Sequence, residues 1–462
     1  MSASAAPVLP ATPPFAIRAR LLTPLNADGA TRYEPDAVIE VDASGRITSI
    51  EPWEAWTRVQ HSSTGQAAST GQLIDLRPWV LLPGMVDLHV HLPQVPAAGF
   101  GAGLDLLTWL RRYIFPLEQA FDEATAERVA PRVFRAMAAA GTTTAVMYGA
   151  IWAPSLDASF RAAEAHGIRA VIGKVMMDEL TYDDRLPRDR ILETSLQQSA
   201  DLCQRWHGRD NGRLRYAFTP RFAVSCSGDM LRESAALARS TGAYWQTHIA
   251  EDRGEIAEVA RRFPDARDYL DVYDRAGALG ERTILAHAIY LSDRELDRLV
   301  ESGSRIAHCP ESNLFLASGL MPLARYRRRG AMVGLGSDVA AGPALSLFEQ
   351  MRIGFYAQNA LHVTTDDPSA ILDPLDWLRM GTLDGARMLG LDAEIGSLEV
   401  GKEADLIAVD AALTEPLPGV DVHHPVEFEG PDQPSDLMSR LMFRAHPEMV
   451  RGAWVRGRLL QR

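Results

Sequence analysis

The stretch Leu81–Gln94 reads Leu-Leu-Pro-Gly-Met-Val-Asp-Leu-His-Val-His-Leu-Pro-Gln, an apolar run that ends in two histidines. Alternate residues of an extended strand point to the same side, so His89 and His91 are expected to reach one point in space. Pro83 and Gly84 turn the chain just before the strand, which puts both histidines at its C-terminal end. Neutral imidazoles are good ligands for Zn²⁺ or Fe²⁺. Because a bare His-x-His pattern also occurs by chance or on a surface, the hypothesis of a metal site depends on the rest of the chain.

The composition is that of an ordinary soluble globular protein, with 462 residues, 47% of them hydrophobic and 23% charged. The formal net charge of −13 argues against a nucleic-acid partner. The absence of a run of about eighteen apolar residues argues against a membrane span. Residues 1–14, rich in Ala and Pro, are predicted to form a disordered tail. The three cysteines, Cys203, Cys226 and Cys309, are scattered and odd in number, which favours a reduced, cytoplasmic setting.

The middle of the chain alternates between apolar strands and helices. Eight strands are predicted, at Met85–His91, Thr142–Tyr148, Ile168–Met176, Leu214–Thr219, Ala243–His248, Thr283–His287, Arg305–His308 and Met332–Asp338. The predicted helices are Asp122–Ala140, Leu156–His166, Ile191–Trp206, Met230–Ser240, Glu255–Arg262, Arg294–Ser302, Leu323–Arg329 and Leu345–Gln358. This pattern is typical of an α/β fold with a parallel sheet, and eight units predict a closed (β/α)₈ TIM-like barrel. The alternative is an open doubly wound sheet, but no Gly-x-Gly-x-x-Gly follows a strand to support it.

Both ends of the chain have a different pattern, which predicts a small β-sandwich built from the two termini. Its strand candidates are Phe15–Leu22, Ala37–Val41 and Arg46–Ile50, then part of Gly396–Asp410, Met438–Phe443 and Trp454–Leu460. Residues 61–71 read as a polar loop. The predicted divisions are the tail at 1–14, the sandwich at 15–78 and 391–462, and the barrel at 79–390.

Polar side chains end five of the predicted barrel strands, where barrel enzymes carry their active sites. These residues are His89, His91, His248, His287, His308 and Asp338. A single histidine at a strand end is usually structural, but five histidines and an aspartate at one end of a barrel favour a metal site. Three imidazoles and one carboxylate make a mononuclear site with room for a water molecule.

Three further residues are candidates for chemistry or binding. Glu251 follows His248 by three residues and could move the proton of a metal-activated water, or it could simply favour the start of a helix. Gln94 follows His91 by three residues, and Arg221 lies just after the fourth strand. Glutamine both donates and accepts hydrogen bonds and arginine offers a planar fork, so either residue could hold a polar ligand.

The stretch from Leu82 to His91 resembles the signature of the metal-dependent amidohydrolase superfamily, and finer motifs resemble those of the guanine deaminases. The latter are His-Leu-Pro-Gln at 91–94, Leu-Asp-Leu-Leu-Thr-Trp-Leu at 104–110, Tyr-Ile-Phe-Pro-Leu-Glu at 113–118, Gly-Thr-Thr-Thr-Ala at 141–145, Gly-Lys-Val-Met-Met-Asp at 173–178, Thr-Pro-Arg-Phe at 219–222, Asp-Val-Tyr-Asp-Arg-Ala-Gly at 271–277, Ala-His-Cys-Pro-Glu-Ser-Asn-Leu at 307–314 and Gly-Leu-Gly-Ser-Asp-Val-Ala at 334–340. The resemblance runs from about residue 80 to residue 400.

This resemblance implies hydrolysis of the 2-amino group of guanine to xanthine and ammonia, and a role for each candidate residue. It implies one zinc ion per chain, with Fe²⁺ also suited to the ligands, and a homodimer. The implied metal ligands are His89, His91, His248 and Asp338. The implied catalytic residues are Glu251 as proton shuttle, His287 as the residue that orients water, and Asp338. The implied substrate-binding residues are His91, Gln94, Arg221, Phe222, His248, Glu251 and Asp338.

The sequence departs from the usual family pattern in two places. Glu311 stands where asparagine is common, and Ala341 and Pro343 stand where a glycine pair is usual. No lysine at the end of the fourth strand is evident to bridge two metal ions, which fits a mononuclear site. Alternatives to guanine as the substrate are a pterin, 8-oxoguanine or another aminopurine, and a triazine. A remote alternative is a non-catalytic barrel that serves as a scaffold.

Overall fold

The computed structural model describes residues 7–27, 29–62, 73–183, 185–365, 371–415 and 433–462. The strands in this part of the chain are β1 (Phe15–Pro24), β2 (Thr31–Val41), β3 (Ile47–Pro52), β4 (Leu73–Pro83), β5 (Met85–His91), β6 (Thr142–Tyr148), β7 (Arg169–Gly173), β8 (Val175–Met176), β9 (Leu214–Pro220), β10 (Tyr244–Ile249), β11 (Thr283–His287), β12 (Arg305–His308), β13 (Met332–Leu335), β14 (Leu406–Val409), β15 (Val450–Val455) and β16 (Arg458–Leu459).

Strands β5 to β13 form one sheet in the order β13-β12-β11-β10-β9-β7-β6-β5, with β8 continuing the line of β7 against β9. The pairings from β6 to β13 are parallel. Two backbone hydrogen bonds join the ends of the sheet, from the amide of His91 to the carbonyl of Val339 and from the amide of Asp338 to the carbonyl of His89. The predicted eight-stranded parallel barrel is therefore confirmed.

Seven of the eight predicted helices begin and end within three residues of their predicted positions, and the eighth, predicted to end at Gln358, continues to Thr365. The helices of the described residues are α1 (Trp53–Ser62), α2 (Leu106–Trp109), α3 (Phe115–Gln119), α4 (Glu123–Ala139), α5 (Ala153–His166), α6 (Arg188–Trp206), α7 (Arg209–Gly212), α8 (Gly228–Thr241), α9 (Arg253–Arg262), α10 (Tyr269–Arg275), α11 (Asp293–Ser302), α12 (Pro310–Phe315), α13 (Leu323–Arg328), α14 (Leu347–Thr365), α15 (Pro374–Met380), α16 (Leu383–Met388) and α17 (Pro434–Phe443). A π-helical turn, Leu110–Ile114, joins α2 to α3.

Local capping explains several of these boundaries. The side chain of Ser292 accepts a hydrogen bond from the amide of Glu295, and the side chain of Glu295 accepts one from the amide of Ser292, so α11 begins with a capping box. The same helix ends at Gly303, whose φ of 72° is a left-handed conformation that suits glycine. Asp122 accepts from the amide of Thr125 and starts α4 as the sequence predicted.

The second sheet has the order β16-β15-β14-β4-β1-β2-β3 and combines strands from both ends of the chain. Its apolar core includes Phe15, Ile17, Ile39, Leu406 and Trp454, all at most 1% exposed. Contacts divide the chain into two compact units, residues 1–86 with 135–143 and 373–462, and residues 87–134 with 144–372. The prediction of a separate sheet from the two termini is therefore confirmed.

Two predictions about the chain ends were wrong. Met438–Phe443 is not a strand but the end of helix α17, because Pro434 suits a helix start and Leu437 and Leu441, four residues apart, are both buried on one face. Residues 7–14 are not a disordered tail, because the carbonyl of Pro10 accepts a hydrogen bond from the indole of Trp454 and that of Ala11 accepts one from the amide of Leu459.

Two other expectations concern loops and membranes. Of the predicted polar loop 61–71, residues 61 and 62 end helix α1, and residues 63–71 lie outside the described part of the chain. No helix among the described residues is long and apolar enough to cross a membrane.

Candidate active site

The first barrel strand and the segment after the last one bring three side chains together. The Oδ1 atom of Asp338 lies 3.2 Å from Nε2 of His89 and 3.3 Å from Nε2 of His91. All three side chains are at least nine-tenths buried. Both histidines therefore reach the same carboxylate, as expected for residues i and i+2 of an extended strand.

His248, at the end of β10, completes this cluster. Its Nε2 lies 3.1 Å from Nε2 of His91. Its Nδ1 lies 2.6 Å from the carbonyl oxygen of Arg221, and a carbonyl only accepts, so Nδ1 carries the hydrogen. The Nε2 of His248 is then left with a lone pair that faces His91. A cation placed beside His91 would bind this lone pair.

The donor set fits a divalent metal ion. The ligand atoms of His89, His91 and Asp338 all lie within 4.8 Å of one another, and so do those of His89, His248 and His287. The buried Nε2 atoms of His89 and His287 have no hydrogen-bond partner among the described residues. Imidazole nitrogens and a carboxylate are the ligands that Zn²⁺ and Fe²⁺ accept, so the residues present suit the metal that the sequence predicted.

Burial keeps the ligands in the protonation states that a metal needs. It lowers the pKa of His91 to about 4, partly offset by hydrogen bonding to Asp338, so this imidazole is neutral at neutral pH. Burial alone would raise the pKa of Asp338, but the neighbouring His89 and His91 hold it well below its usual range. His91 is therefore neutral and Asp338 ionised, which are the states in which these two groups bind a metal ion.

The backbone is strained where it delivers two of these side chains. His287 has a φ of 71° and Asp338 a φ of 50°, a left-handed region that residues other than glycine rarely adopt. Close packing behind them also constrains the sequence, because a Cβ atom on Gly336 would lie 2.7 Å from Cβ of His89. Backbone strain of this kind concentrates at functional sites, where the surrounding structure holds it in place.

Glu251 and His287 form a second pair next to the metal cluster. Nε2 of His287 lies 3.3 Å from Oε2 of Glu251 and 3.8 Å from Oδ2 of Asp338. Burial, and then the negative charge of Asp338, raises the pKa of Glu251 well above its ordinary value. A carboxylate with a raised pKa is a stronger base than an ordinary one, so beside a metal site Glu251 is placed to take a proton and to give it up again.

Asn313, on helix α12, fixes the orientation of His287. Its Oδ1 lies 3.0 Å from Nδ1 of His287. An amide oxygen only accepts, so in this arrangement Nδ1 carries the hydrogen and Nε2 presents a lone pair to Glu251. The imidazole is thus set to accept a proton or a hydrogen bond on the side that faces the cluster.

One cavity in the barrel mouth is lined by all seven side chains that the sequence predicted to bind substrate. They are His91, Gln94, Arg221, Phe222, His248, Glu251 and Asp338. Leu106, Trp109 and Leu110 line the same cavity from the segment between β5 and α4. The ring of Phe222 lies 6.3 Å from that of His248, edge to face. The cavity thus joins the metal cluster to polar groups and to apolar walls, as expected of a small-molecule site.

Of the remaining residues that the sequence singled out, which are His308, Glu311, Ala341 and Pro343, only Ala341 lines the cavity. His308 ends β12 as predicted and is buried, but it is not among the clustered ligands of the described residues. Of the departures from the family pattern, Ala341 lines the cavity. Glu311 instead accepts hydrogen bonds from the side chain of Gln350 and the amide of Ala344, at 2.7 and 3.2 Å. Pro343 is not among the residues that line the cavity.

Sequence reasoning missed several side chains that hold the site residues in place. Glu118 accepts hydrogen bonds from Gln94 and Arg221, and Ser312 donates one of 2.6 Å to Oδ2 of Asp338. Asn313 was missed in the same way. The signal for all three was their place inside the motifs at 113–118 and 307–314.

Comparisons with known proteins agree with this geometry. A model of the amidohydrolase family matches residues 80–460. A protein of Deinococcus radiodurans, named a probable guanine deaminase, is 39% identical over 387 residues, which are 83% of this chain and 85% of that protein. The structure of guanine deaminase from E. coli gives a TM-score of 0.84 at 31% identity, over 96% of this chain and 98% of the other. Guanine deaminase from C. acetobutylicum, solved with guanine in its active site, gives a TM-score of 0.84 at 25% identity, over 96% and 99% of the two chains.

Proposed function

The chain belongs to the amidohydrolase family, and we propose that it is a guanine deaminase, which converts guanine and water to xanthine and ammonia. The observation that carries this proposal is one cavity in which a His-Asp cluster, the buried carboxyl group of Glu251, Gln94 and Arg221 meet. The named relatives support the same substrate.

We assign the metal to His89, His91, His248 and Asp338 and propose that it is one zinc ion per chain. A zinc ion at these ligands acts as a Lewis acid that lowers the pKa of water toward neutrality. The carbonyl of Arg221 fixes the tautomer of His248 so that its Nε2 lone pair faces the cluster, and Ser312 keeps the carboxylate of Asp338 in place through its hydrogen bond. The chain thereby supplies a fixed ligand set without rearrangement.

Glu251 is proposed to move the proton that deamination requires. When the oxygen of water adds to C2 of guanine, a water proton must leave and a ring nitrogen must gain one. Glu251 has the raised pKa and the buried position to take the first proton and give it to the ring nitrogen. It would then take the proton of the new C2 hydroxyl and pass it to the amine, so that ammonia leaves and the C2 carbonyl of xanthine forms. His287 lies 3.3 Å from this carboxyl and, with its lone pair turned inward by Asn313, orients the attacking water.

Gln94, Arg221 and Phe222 are proposed to hold the purine. Arginine only donates hydrogen bonds, so Arg221 suits the C6 carbonyl of guanine. Gln94 donates to Oε1 of Glu118 and Arg221 donates to Oε2, so the two side chains flank one carboxylate. Gln94 therefore suits the N1–H of guanine, which is next to the C6 carbonyl. Phe222 offers an aromatic surface at the cavity wall.

Ammonia release from a panel of amino-heterocycles tests this function. The panel is guanine, 8-oxoguanine, adenine, cytosine, pterin and melamine, each given to zinc-loaded protein. We expect guanine to be the preferred substrate, and formation of xanthine identifies the product. A clear preference for pterin or melamine assigns the chain to a different deaminase, and the absence of ammonia from every compound contradicts the enzyme assignment.

We also propose that the protein acts in guanine breakdown as a homodimer in a reduced, cytoplasmic compartment. Support for the compartment comes from Cys203, Cys226 and Cys309, which are all buried and free. Light scattering of the zinc-loaded protein tests the dimer, and a monomeric mass contradicts it.

A further inference from the structure

Glu118 is a fully buried carboxylate that the proposed chemistry does not use. It lies on the short helix α3, is 0% exposed, and accepts three hydrogen bonds from side chains. Gln94 Nε2 donates to its Oε1 at 2.7 Å, while Arg221 Nη1 at 2.5 Å and the hydroxyl of Tyr182 at 2.7 Å donate to its Oε2. Gln94 and Arg221, two of the three residues proposed to hold the substrate, thus share one carboxylate.

The carboxylate leaves Gln94 only one orientation. An ionised carboxylate accepts hydrogen bonds and cannot donate, so the amide of Gln94 must turn its nitrogen toward Glu118. Burial alone would raise the pKa of Glu118, but the charge of Arg221 and the bond from Tyr182 hold it below its usual value. The Oε1 of Gln94 has no hydrogen-bond partner among the described residues, and Gln94 lines the cavity. Gln94 therefore presents an acceptor to a bound ligand.

The same carboxylate sets the role of Arg221. One end of its guanidinium is bound to Glu118, and its remaining N–H groups make no hydrogen bond within the described chain. The guanidinium carbon of Arg221 lies 5.4 Å from the centre of the Phe115 ring, so the guanidinium group packs against the face of this ring. Arg221 therefore presents donors to the cavity next to the acceptor of Gln94.

We infer that Glu118 is a positioning residue that determines substrate specificity, because it fixes Gln94 as an acceptor and Arg221 as a donor. This pair matches a lactam edge, a ring carbonyl next to a ring N–H, which is the O6 and N1–H edge of guanine. A ring that places an amino group next to an unprotonated nitrogen, as adenine does, offers the reverse pattern. The inference rests on the proposed function for the position at which the reaction takes place. What it adds is which edge of the heterocycle forms hydrogen bonds with Gln94 and Arg221.

Equilibrium binding of two purines that lack the 2-amino group tests the edge without any turnover. Hypoxanthine carries the lactam edge, and purine itself lacks the carbonyl and the N1–H. Calorimetry on zinc-loaded wild-type protein is expected to show that hypoxanthine binds at least ~10²-fold more tightly, because two hydrogen bonds to buried or charged groups are at stake. Equal binding of the two compounds would overturn the inference, whatever the outcome of the guanine assay.

The variant Glu118→Gln keeps the shape of the side chain but removes the charge and allows the amide of Gln94 to rotate. We expect the preference for hypoxanthine over purine to fall at least about tenfold, mainly through weaker hypoxanthine binding. For guanine, KM is expected to rise more than kcat falls, because the reacting groups at the metal are untouched. A variant that weakens hypoxanthine and purine by the same factor would show that Glu118 is only structural, and would overturn the inference.

Two further variants keep this test decisive. Glu118→Asp retains the charge but is one methylene shorter, so it cannot reach both Gln94 and Arg221, and it is expected to lose the preference as well. Glu295→Gln, which changes the buried capping-box carboxylate of α11, is expected to retain the wild-type preference. Circular dichroism and zinc content establish that each variant is folded. A folded Glu118→Asp protein with the full wild-type preference contradicts the inference even where Glu118→Gln does not fold.

Discussion

The Nδ1 atom of His248 lies 2.6 Å from the carbonyl oxygen of Arg221, and the amide of His248 also donates to that carbonyl, at 3.3 Å. One peptide group after β9 therefore holds a metal-facing imidazole, while the side chain of the same arginine faces the ligand cavity. The hydroxyl of Tyr273 donates to the carbonyl of His248 at 2.7 Å and fixes the other end of this connection. The metal cluster and the polar wall of the cavity are thus positioned by the same stretch of backbone.

Replacement of His248 by Ala is expected to remove both the metal and the activity. The imidazole supplies an inward lone pair, because its Nδ1 carries the hydrogen and its Nε2 lies 3.1 Å from Nε2 of His91. Elemental analysis should find one divalent ion per wild-type chain and less than a tenth of that in His248→Ala after dialysis. The matched control is His308→Ala, which changes a buried strand-end histidine outside the cluster and should keep the ion. Two ions per wild-type chain, or full metal in His248→Ala, would contradict the ligand assignment.

Replacement of Glu251 by Gln is expected to keep the metal and the binding of guanine but to lower kcat by at least ~10²-fold. The amide has the shape of the carboxyl but cannot move a proton, and a positioned acid-base group contributes about 10² to 10⁴ in rate. Steady-state assays of ammonia release measure the loss, and zinc analysis checks the site. Near-normal turnover would show that Glu251 serves only the start of α9.

The barrel and its metal cluster were predictable because their signals are local. Each barrel strand is an almost continuous apolar run, and parallel strands bring their C-terminal ends to one mouth. The alternation of His89 and His91 determines that both face the same side. The position of His308 at a strand end was equally clear, but a strand-end position alone does not determine which side the side chain takes.

The supporting residues could not be predicted because their partners are distant in sequence. Glu118 lies 24 residues from Gln94 and 103 residues from Arg221, so no local pattern pairs them. Met438–Phe443 was misassigned for another reason, since a short apolar run is compatible with a strand or a buried helix. The start of α17 at Pro434 and the burial of Leu441 decide for the helix.

Replacement of Lys174 by Met is expected to change how stability depends on pH. Burial lowers the pKa of this lysine to about 7, and its ammonium donates to Ser195 at 2.8 Å. An unfolded lysine holds its proton to about pH 10.4, so between pH 7 and pH 10 the unfolded chain binds more protons and this group makes folding more favourable as pH rises. The variant should therefore melt higher than wild type at pH 7, by about 2 °C or more, with a smaller difference at pH 9.5.

Differential scanning calorimetry of the zinc-loaded proteins measures this dependence. Ser195→Ala keeps the buried ammonium and should retain the wild-type dependence on pH, so it serves as the matched control. A Lys174→Met protein that melts below wild type at pH 7, with the same difference at pH 9.5, would show that the lysine is not destabilised by its burial.

The substrate choice of the cavity provides the last prediction. Guanine offers an acceptor at O6 and a donor at N1, whereas adenine offers an amino group and an unprotonated nitrogen. Arg221 cannot accept from the amino group of adenine, and a buried guanidinium left without a partner costs about 1–3 kcal/mol or more. We therefore expect guanine to exceed adenine by at least ~10³-fold in kcat/KM, because sites built on hydrogen bonds discriminate strongly.

The variant Arg221→Ala should lose most of its guanine turnover and keep its zinc, since His248 is held by the peptide carbonyl of residue 221, which the substitution retains. Comparable rates on adenine and guanine in the wild-type protein would mean that Gln94 and Arg221 do not distinguish the two purines at C6 and N1. The protein would then be assigned to another class of deaminase.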